Sequence, residues 1–396
     1  MTHRKQQQIT FSSPFGTFEL ARYPQEKDPT LRAWSAGDEY LVQYAKDNLA
    51  GTVAGRRLLI ANDTFGALTL CLQEFQPLLW SDSHVTRKAL ELNLVRNNLN
   101  GNAVDDLFLP ATEPLPDHLD VVLMQLPKSH AYLRFQLEQI AASLAPGGLV
   151  VAAVMVKHFH PNMLQHFEEL IGETHTTLAR KKARLIVAKH TRPVPAHRKS
   201  LADYASRYPL DASGTGTNPD TAELLTLPNV FSYEKLDIGT RALLPHIGHY
   251  SECHNILDLG CGNGALGLQA ALQNSAATVS FCDESYLAVA SARLSAEQAG
   301  VAGRCRFLVT DTLEGADKHQ DLILCNPPFH QQNSMHKEIA RRMFRQAADH
   351  LRPGGSLLVV SNRHLNYQHS LAKRFASVRQ LDQNRKFVIT EASAPG

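Results

Sequence analysis

Four blocks of this chain occur twice, in the same order, and that repetition constrains the fold more than any single motif. Arg57-Leu58-Leu59-Ile60 through Gly66-Ala67-Leu68 returns as Asn255-Ile256-Leu257-Asp258 through Gly264-Ala265-Leu266. Leu79-Trp80-Ser81-Asp82 returns as Ser280-Phe281-Cys282-Asp283, and His118 to Leu123 returns as His319 to Leu324. Leu144-Ala145-Pro146-Gly147-Gly148 returns as Leu351-Arg352-Pro353-Gly354-Gly355. The offset drifts only from 198 (Arg57 to Asn255) to 207 (Leu144 to Leu351). Chance does not keep four blocks in order at so steady a spacing, so the chain reads as a tandem duplication of one domain. Its 396 residues suit two cores better than one.

Each copy alternates short apolar runs with helical periodicity. In the second copy the spacing predicts strands at 255–259, 278–282, 304–309, 320–325 and 356–361, and helices at 264–273, 285–299 and 337–350. A closing strand, Lys386 to Thr390, corresponds to Arg184 to Lys189 in the first copy. Strands alternating with helices imply a parallel sheet covered on both faces, joined by right-handed crossovers. Residues 1–190 form the first expected domain and 211–396 the second. Between them, 191–210 carries Pro193, Pro195 and Pro209 among basic residues and reads as a linker. Residues 211–250, with an apolar stretch at Leu224 to Leu227 and a helical pattern from Asp237, are expected to cover the substrate side of a site.

The copies differ where a ligand would touch backbone. Asp258, Gly260, Gly262 and Asn263 align with Ile60, Asn62, Thr64 and Phe65. Close approach of backbone to a ligand excludes Cβ and often needs positive φ, which favours glycine. The first copy is therefore expected to keep the sheet and to bind no cofactor.

Two motifs in the second copy carry chemistry. Gly262-Asn263-Gly264-Ala265-Leu266-Gly267 satisfies the dinucleotide fingerprint, with Asp283 about twenty residues on. Taken alone it permits a nicotinamide dehydrogenase. The upstream Asp258 and Gly260 extend it to Asp-x-Gly-x-Gly-x-Gly, which resembles the loop of S-adenosylmethionine-dependent methyltransferases. The second motif, Asn326-Pro327-Pro328-Phe329, follows an apolar strand about sixty residues later. An NH2 group on a purine is a poor nucleophile because its lone pair is delocalised into the ring. Two acceptors that take its two N–H bonds pull the nitrogen out of plane and free that pair. The side-chain carbonyl of Asn326 and the main-chain carbonyl of Pro327 can be those acceptors. Each precedes a proline, which biases both to extended backbone and stiffens the loop. Phe329 offers a face for a flat base. By residue type alone the motif equally permits adenine-N6 or glutamine-amide methylation.

These motifs, preceded by Phe231-Ser232-Tyr233-Glu234-Lys235-Leu236-Asp237-Ile238-Gly239 and continued by His330-Gln331-Gln332, resemble the bacterial ribosomal RNA guanine-N2 methyltransferases over nearly the whole chain, and the large-subunit (23S) enzymes more than their small-subunit relatives. The resemblance implies two tandem Rossmann-like class I methyltransferase domains, each a mostly parallel seven-stranded sheet with helices on both faces, the first degenerate. It implies transfer of one methyl from S-adenosylmethionine to the 2-amino group of one guanine, leaving S-adenosylhomocysteine, without a metal. It implies a cofactor held by Asp258, Gly260, Gly262, Asn263, Gly264, Asp283, Asp311 and Asn326, with Asp283 on the ribose hydroxyls and Asp311 on the adenine amine. Asn326, Pro327, Pro328 and Phe329 would act on the base.

Charge fits a polyanionic partner. The net charge is only +2, yet Arg180 to Arg207 holds nine Lys/Arg against Asp203, and Arg363 to Lys386 holds six against Asp382. Arg180, Lys181, Lys182, Arg192, Arg198 and Lys199 are the expected phosphate contacts to ribosomal RNA, free or partly assembled. A protein glutamine methyltransferase has no use for such a linker, and a non-catalytic RNA-binding scaffold has none for intact glycine and Asn-Pro-Pro-Phe loops. The polar stretch from Met1 to Leu20 carries no signal-peptide core, and the longest apolar run, Leu149 to Val156, is too short to span a bilayer. Six cysteines without Cys-x-x-Cys spacing suit reduced thiols of a cytoplasmic protein, expected to act as a monomer.

Overall fold

Runs such as Leu58–Ala61, buried at every position, need a sheet covered on both faces, and the chain builds two of them. In a computed structural model, the structure describes residues 9–25, 28, 30–49, 57–195, 197–211, 221–328 and 334–395, with the backbone alone at 334–337. Contacts divide the chain into units Met1–Lys199 and Ser200–Gly396.

The sheet of the first unit comprises Leu58–Ala61 (β1), Leu78–Ser81 (β2), Phe108–Pro110 (β3), Leu119–Gln125 (β4), Leu144–Met155 (β5), Gly172–Thr176 (β6) and Ala183–His190 (β7). The second comprises Asn255–Leu259 (β8), Thr278–Asp283 (β9), Cys305–Val309 (β10), Gln320–Cys325 (β11), Leu351–Asn362 (β12), Ser377–Gln383 (β13) and Phe387–Ser393 (β14). Both follow one order: β3-β2-β1-β4-β5-β7-β6 and β10-β9-β8-β11-β12-β14-β13. The first five strands of each are parallel, and the last two run antiparallel to their neighbours. The duplication and the seven-stranded α/β architecture are thus both present.

Helices Ala265–Gln273, Tyr286–Gln298 and Ser334–His350 lie close to the predicted bounds. The edge strands β6 and β13 were not predicted. Ser377–Gln383 reads Ser-Val-Arg-Gln-Leu-Asp-Gln and is half to fully exposed throughout, so it carries no apolar alternation to betray it. It pairs with β14 across a bulge between Gln380 and Asp382.

The repeat also extends further upstream than the matching blocks. In each unit a backbone strap is tied to the helix after the second strand by a polar side chain. Asn93, on helix His84–Arg96, exchanges two hydrogen bonds with the Ala21 backbone at 2.8 and 2.9 Å. Ser295 and Ser291, on Tyr286–Gln298, accept from Leu225 N–H and Leu227 N–H, both at 2.9 Å. In the second unit that strap is a two-stranded ribbon, Ser206–Pro209 paired antiparallel with Glu223–Thr226. Residues 200–210, expected to be linker, therefore belong to the second unit, and 206–209 form a strand with Arg207 and Pro209 exposed.

One glycine is kept in both copies for packing. Gly66 and Gly264 turn the first strand into a helix with φ of +79° and +83°. A Cβ on Gly264 would lie 2.7 Å from Ala292 Cβ and 2.9 Å from its Cα; on Gly66 it would lie 2.8 Å from Leu90 Cδ1. Gly264→Ala should therefore destabilise the second unit by ~2–4 kcal/mol through strain and overpacking together. Denaturant melts check this, and a loss below about 1 kcal/mol would mean that the turn relaxes.

Candidate functional site

Parallel register brings the chemistry-bearing loops to one edge. Leu259 pairs with both Cys282 and Cys325, and Asp283 pairs with Val309. Gly260, Asp283, Asp311 and Asn326 thus leave the C-terminal ends of four adjacent strands, at the crevice where a doubly wound sheet binds its ligand.

The glycine loop is held from below. Gly260 N–H and Cys261 N–H donate to Cys282 C=O at 2.8 and 3.0 Å, and Gly262 N–H donates to Asp283 Oδ2 at 2.9 Å. Asp283 Oδ1 accepts from Ser285 N–H at 3.0 Å. Burial pushes the Asp283 carboxyl above its usual range, and these backbone donors pull it back. Gly260 and Gly262 have φ of +69° and +53°. A Cβ at Gly262 would meet nothing within 4 Å, so the fold leaves space there that packing does not require. That open cradle fits a ligand lying on the backbone.

Two residues of the expected cofactor set are placed differently. Asp258 is 1% exposed, and its Oδ2 accepts from Gly267 N–H at 2.8 Å. Burial pushes its carboxyl up to about 8. It braces the helix start beneath the loop. Asn263 is 6% exposed and turns its side chain away to the ribbon. Its Nδ2 donates to Tyr208 Oη at 2.6 Å and to Thr226 Oγ1 at 3.2 Å, while Tyr208 donates to Ser232 C=O. Only the backbone of Asn263 remains for a ligand.

Asp311, 4% exposed, forms a two-pronged ion pair with Arg342, one bond being 2.8 Å. Gln346, one turn along the same helix, accepts from Leu313 N–H at 2.9 Å and bonds Thr312 Oγ1. Helix Ser334–His350 thus holds the loop after β10. A sequence shows that Arg342 and Gln346 share a helix face, but not which loop they meet.

Asn326 carries the most informative geometry. Its Nδ2 donates to Thr240 Oγ1 at 2.8 Å and to Asp237 Oδ2 at 3.3 Å. Asp237 is the N-cap of helix Ile238–Ile247 and also accepts from Thr240 N–H at 2.8 Å. With its amide nitrogen pinned, Asn326 leaves Oδ1 buried and, among the described residues, without a hydrogen-bond partner. Pro327 is buried and Pro328 half-buried. Phe329, with His330 to Gln332, lies outside the described residues. Asp237 and Thr240 were not singled out from the sequence as site residues, although an Asp before an apolar periodic run is a recognisable helix cap.

The six basic residues expected to meet RNA are all exposed. Four of them are also engaged within the first unit. Lys181 pairs with Glu39 at 2.6 Å, Arg192 donates to Glu168 C=O at 3.0 Å, Lys199 pairs with Glu138 at 2.7 Å, and Arg198 reaches Leu115 C=O at 3.1 Å and the Asp117 carboxylate. Arg180 lies 5.2 Å from the centre of the Tyr40 ring. Exposed pairs of this kind are worth ~0–1 kcal/mol, little enough to exchange for phosphates. Among the described residues, no group of His, Cys, Asp and Glu could hold a metal, and no helix is long and apolar enough to cross a membrane.

Comparison with known proteins gives two family matches: the family described as RLMG N-terminal domain over residues 8–192, and the methyltransferase small domain over 221–391. The ribosomal RNA large subunit methyltransferase G of Pseudomonas paraeruginosa (strain DSM 24068 / PA7) is 43% identical over 385 residues, covering 96% of this chain and 99% of the relative. Its namesake from Pseudoalteromonas translucida (strain TAC 125) is 38% identical over 383 residues, covering 95% and 96%. Among solved structures, the T. thermophilus 16S rRNA N2 G1207 methyltransferase in complex with AdoMet and guanosine superposes with a TM-score of 0.73, covering 97% of each chain at 22% identity.

The Asp311–Arg342 pair generates a test of its own. Arg342→Ala strands a buried carboxylate and should cost about 3 kcal/mol. Asp311→Asn in the same chain should recover part of that loss. A double-mutant cycle by denaturant melts reads the coupling, and additive losses would show that the pair is not a unit.

Proposed function

Because the chain belongs to the ribosomal RNA large subunit methyltransferase G family, we propose that its second unit transfers a methyl group from S-adenosylmethionine to the exocyclic 2-amino group of one guanine in large-subunit (23S) ribosomal RNA, releasing S-adenosylhomocysteine. The observation that carries this reading is the buried, partnerless Oδ1 of Asn326, locked in orientation by Asp237 and Thr240. An unmet acceptor in a buried place suits an incoming N–H donor.

Bound S-adenosylmethionine supplies an electrophilic methyl carbon on a sulfonium. Its holders are the backbone of Gly260, Gly262, Asn263 and Gly264, the Asp283 carboxylate for ribose hydroxyls, and Asp311 for the adenine amine. Asp258 serves the loop from beneath. At the base, Asn326 Oδ1 and the Pro327 carbonyl accept the two N–H bonds, bend the nitrogen out of the ring plane and aim its lone pair. Pro328 keeps the Pro327 carbonyl extended, and Phe329 stacks on the base. Orientation of this kind can contribute ~7–11 kcal/mol. A general base of low pKa is unnecessary, because the amine becomes acidic once methylated.

The first unit holds RNA and takes no cofactor. Asn62 retains the positive φ of Gly260, at +63°, but Thr64 and Phe65 stand where Gly262 and Asn263 leave room. Arg180, Lys181, Lys182, Arg192, Arg198 and Lys199 contact phosphates, with salt-dependent affinity. The target base is splayed from its stack at a cost of a few kcal/mol unless already unpaired. The protein works as a cytoplasmic monomer without a metal.

Two measurements test the proposal. Labelled methyl groups should enter unmodified large-subunit RNA, at a guanine 2-amino position, while small-subunit RNA and ribosomal protein stay unlabelled; label in protein alone would sink the RNA reading. Cofactor titration should saturate at one per chain. Asn326→Ala should leave that titration unchanged and lower kcat by ~10²–10³-fold. Asp237→Ala should lower kcat in the same direction, and undiminished turnover in either variant would remove the amine clamp.

A further inference from the structure

The first unit has lost the glycine loop but not the hole above its sheet. A cavity of about 620 Å³ opens at the C-terminal ends of its central strands, lined in part by Arg22, Arg32, Lys128, Lys157, Trp34 and Phe65. Its size lies within the range of small-molecule sites. Every lining residue belongs to the first unit.

The floor of this cavity repeats the amide lock of the second unit. Gln125 aligns with Asn326 and lines the cavity. Its Nε2 donates to Asp38 Oδ1 at 2.6 Å, as Asn326 Nδ2 donates to Thr240 Oγ1. Asp38 and Thr240 occupy the same place, three residues past the N-caps Ser35 and Asp237. Asp38 is itself held by Ser35, whose N–H and hydroxyl donate to its Oδ2 at 2.7 and 2.9 Å. The duplication thus kept an oriented amide at the end of β4 while Thr64 and Phe65 closed the donor loop.

The lining carries four Lys/Arg side chains against two carboxylates, Asp38 and Asp63. Lys128 replaces Phe329 in the aligned loop, and Lys157 is exposed nearby. The Arg22 guanidinium lies 4.7 Å from the centre of the Phe65 ring, and that of Arg32 lies 5.2 Å from the Trp34 ring. Cations beside stacked planar faces are the chemistry that grips a phosphate together with a base.

We propose that this cavity is a nucleotide-binding site without catalytic function. The lysines and arginines take the phosphate, the guanidinium and aromatic planes take the base, and the Gln125 carbonyl accepts from a ring N–H. The ligand is a ribonucleotide, either free or within the substrate RNA. This deepens the RNA reading above, but its test involves no methyl transfer, so either can fail alone.

The chain has two tryptophans, both in the first unit: Trp34 lines the cavity and Trp80 lies in the core at 1% exposure. Tryptophan fluorescence of the full chain therefore reports on the first unit, and the Trp34→Phe variant assigns any change to this cavity. With S-adenosylhomocysteine saturating, GMP, guanosine, inorganic phosphate and a single-stranded oligoribonucleotide are each titrated. GMP or the oligoribonucleotide should give a saturable change that Trp34→Phe abolishes. Lys128→Ala with Lys157→Ala, both at exposed positions, should weaken it about tenfold or more. A response to GMP identifies a free nucleotide as sufficient; a response to the oligoribonucleotide alone identifies an RNA nucleotide. No saturable change with either in the millimolar range, or an unaltered affinity in the double lysine variant, overturns the site. Inorganic phosphate matching GMP overturns it in favour of a bare anion pocket.

Discussion

A side-chain carbonyl shut away from water without a partner costs ~1–3 kcal/mol, and among the described residues the second unit maintains one at Asn326. The arrangement persists because the other end of the amide is over-determined. Asp237 caps a helix, accepts from Thr240 N–H and receives the Asn326 amide nitrogen with the same carboxylate oxygen. Helix start, strand end and the Asn-Pro-Pro loop are therefore parts of one network. Strain of this sort is retained where binding relieves it.

The two units show which features both copies of the domain keep. Sheet order, the strap-to-helix bonds and the glycine at the first helix start survive in both. Those features serve packing, which both units need equally. Gly262, above which a side chain would find only open space, became Thr64. The brace under the first helix survives by a different route. Asp258 holds Gly267 N–H from inside the strand, whereas Asp63, three positions further along the aligned loop, holds Ala67 and Thr69 N–H at 2.9 Å each. Burial and the neighbouring Asp38 carboxylate push Asp63 up to about 7. A buried acid braces the start of that helix in both units, which accounts for Asp258 facing inward in the second.

The duplicated α/β architecture was legible because its parallel strands are buried apolar runs at regular intervals, and such runs announce themselves. The glycine and Asn-Pro-Pro loops were legible because backbone geometry restricts which residues can stand there. Polar side chains that act across the fold were not. Nothing local marks Arg342 as the partner of Asp311, or Tyr208 as the partner of Asn263, because each pair is joined by topology rather than by spacing. The edge strands escaped for a related reason: an exposed strand needs no apolar pattern, only a neighbour with free backbone groups.

The ribbon that receives Asn263 begins at Ser206, upstream of the segment matched to the methyltransferase small domain. A recombinant fragment begun at 211 would strip Glu223–Thr226 of its pairing strand and delete the Tyr208 hydroxyl from beneath the glycine turn. Any minimal transferase cut from this chain must carry that stretch of amino-terminal sequence, because Thr226, the other partner of the Asn263 amide nitrogen, lies on the very strand that the cut would leave unpaired.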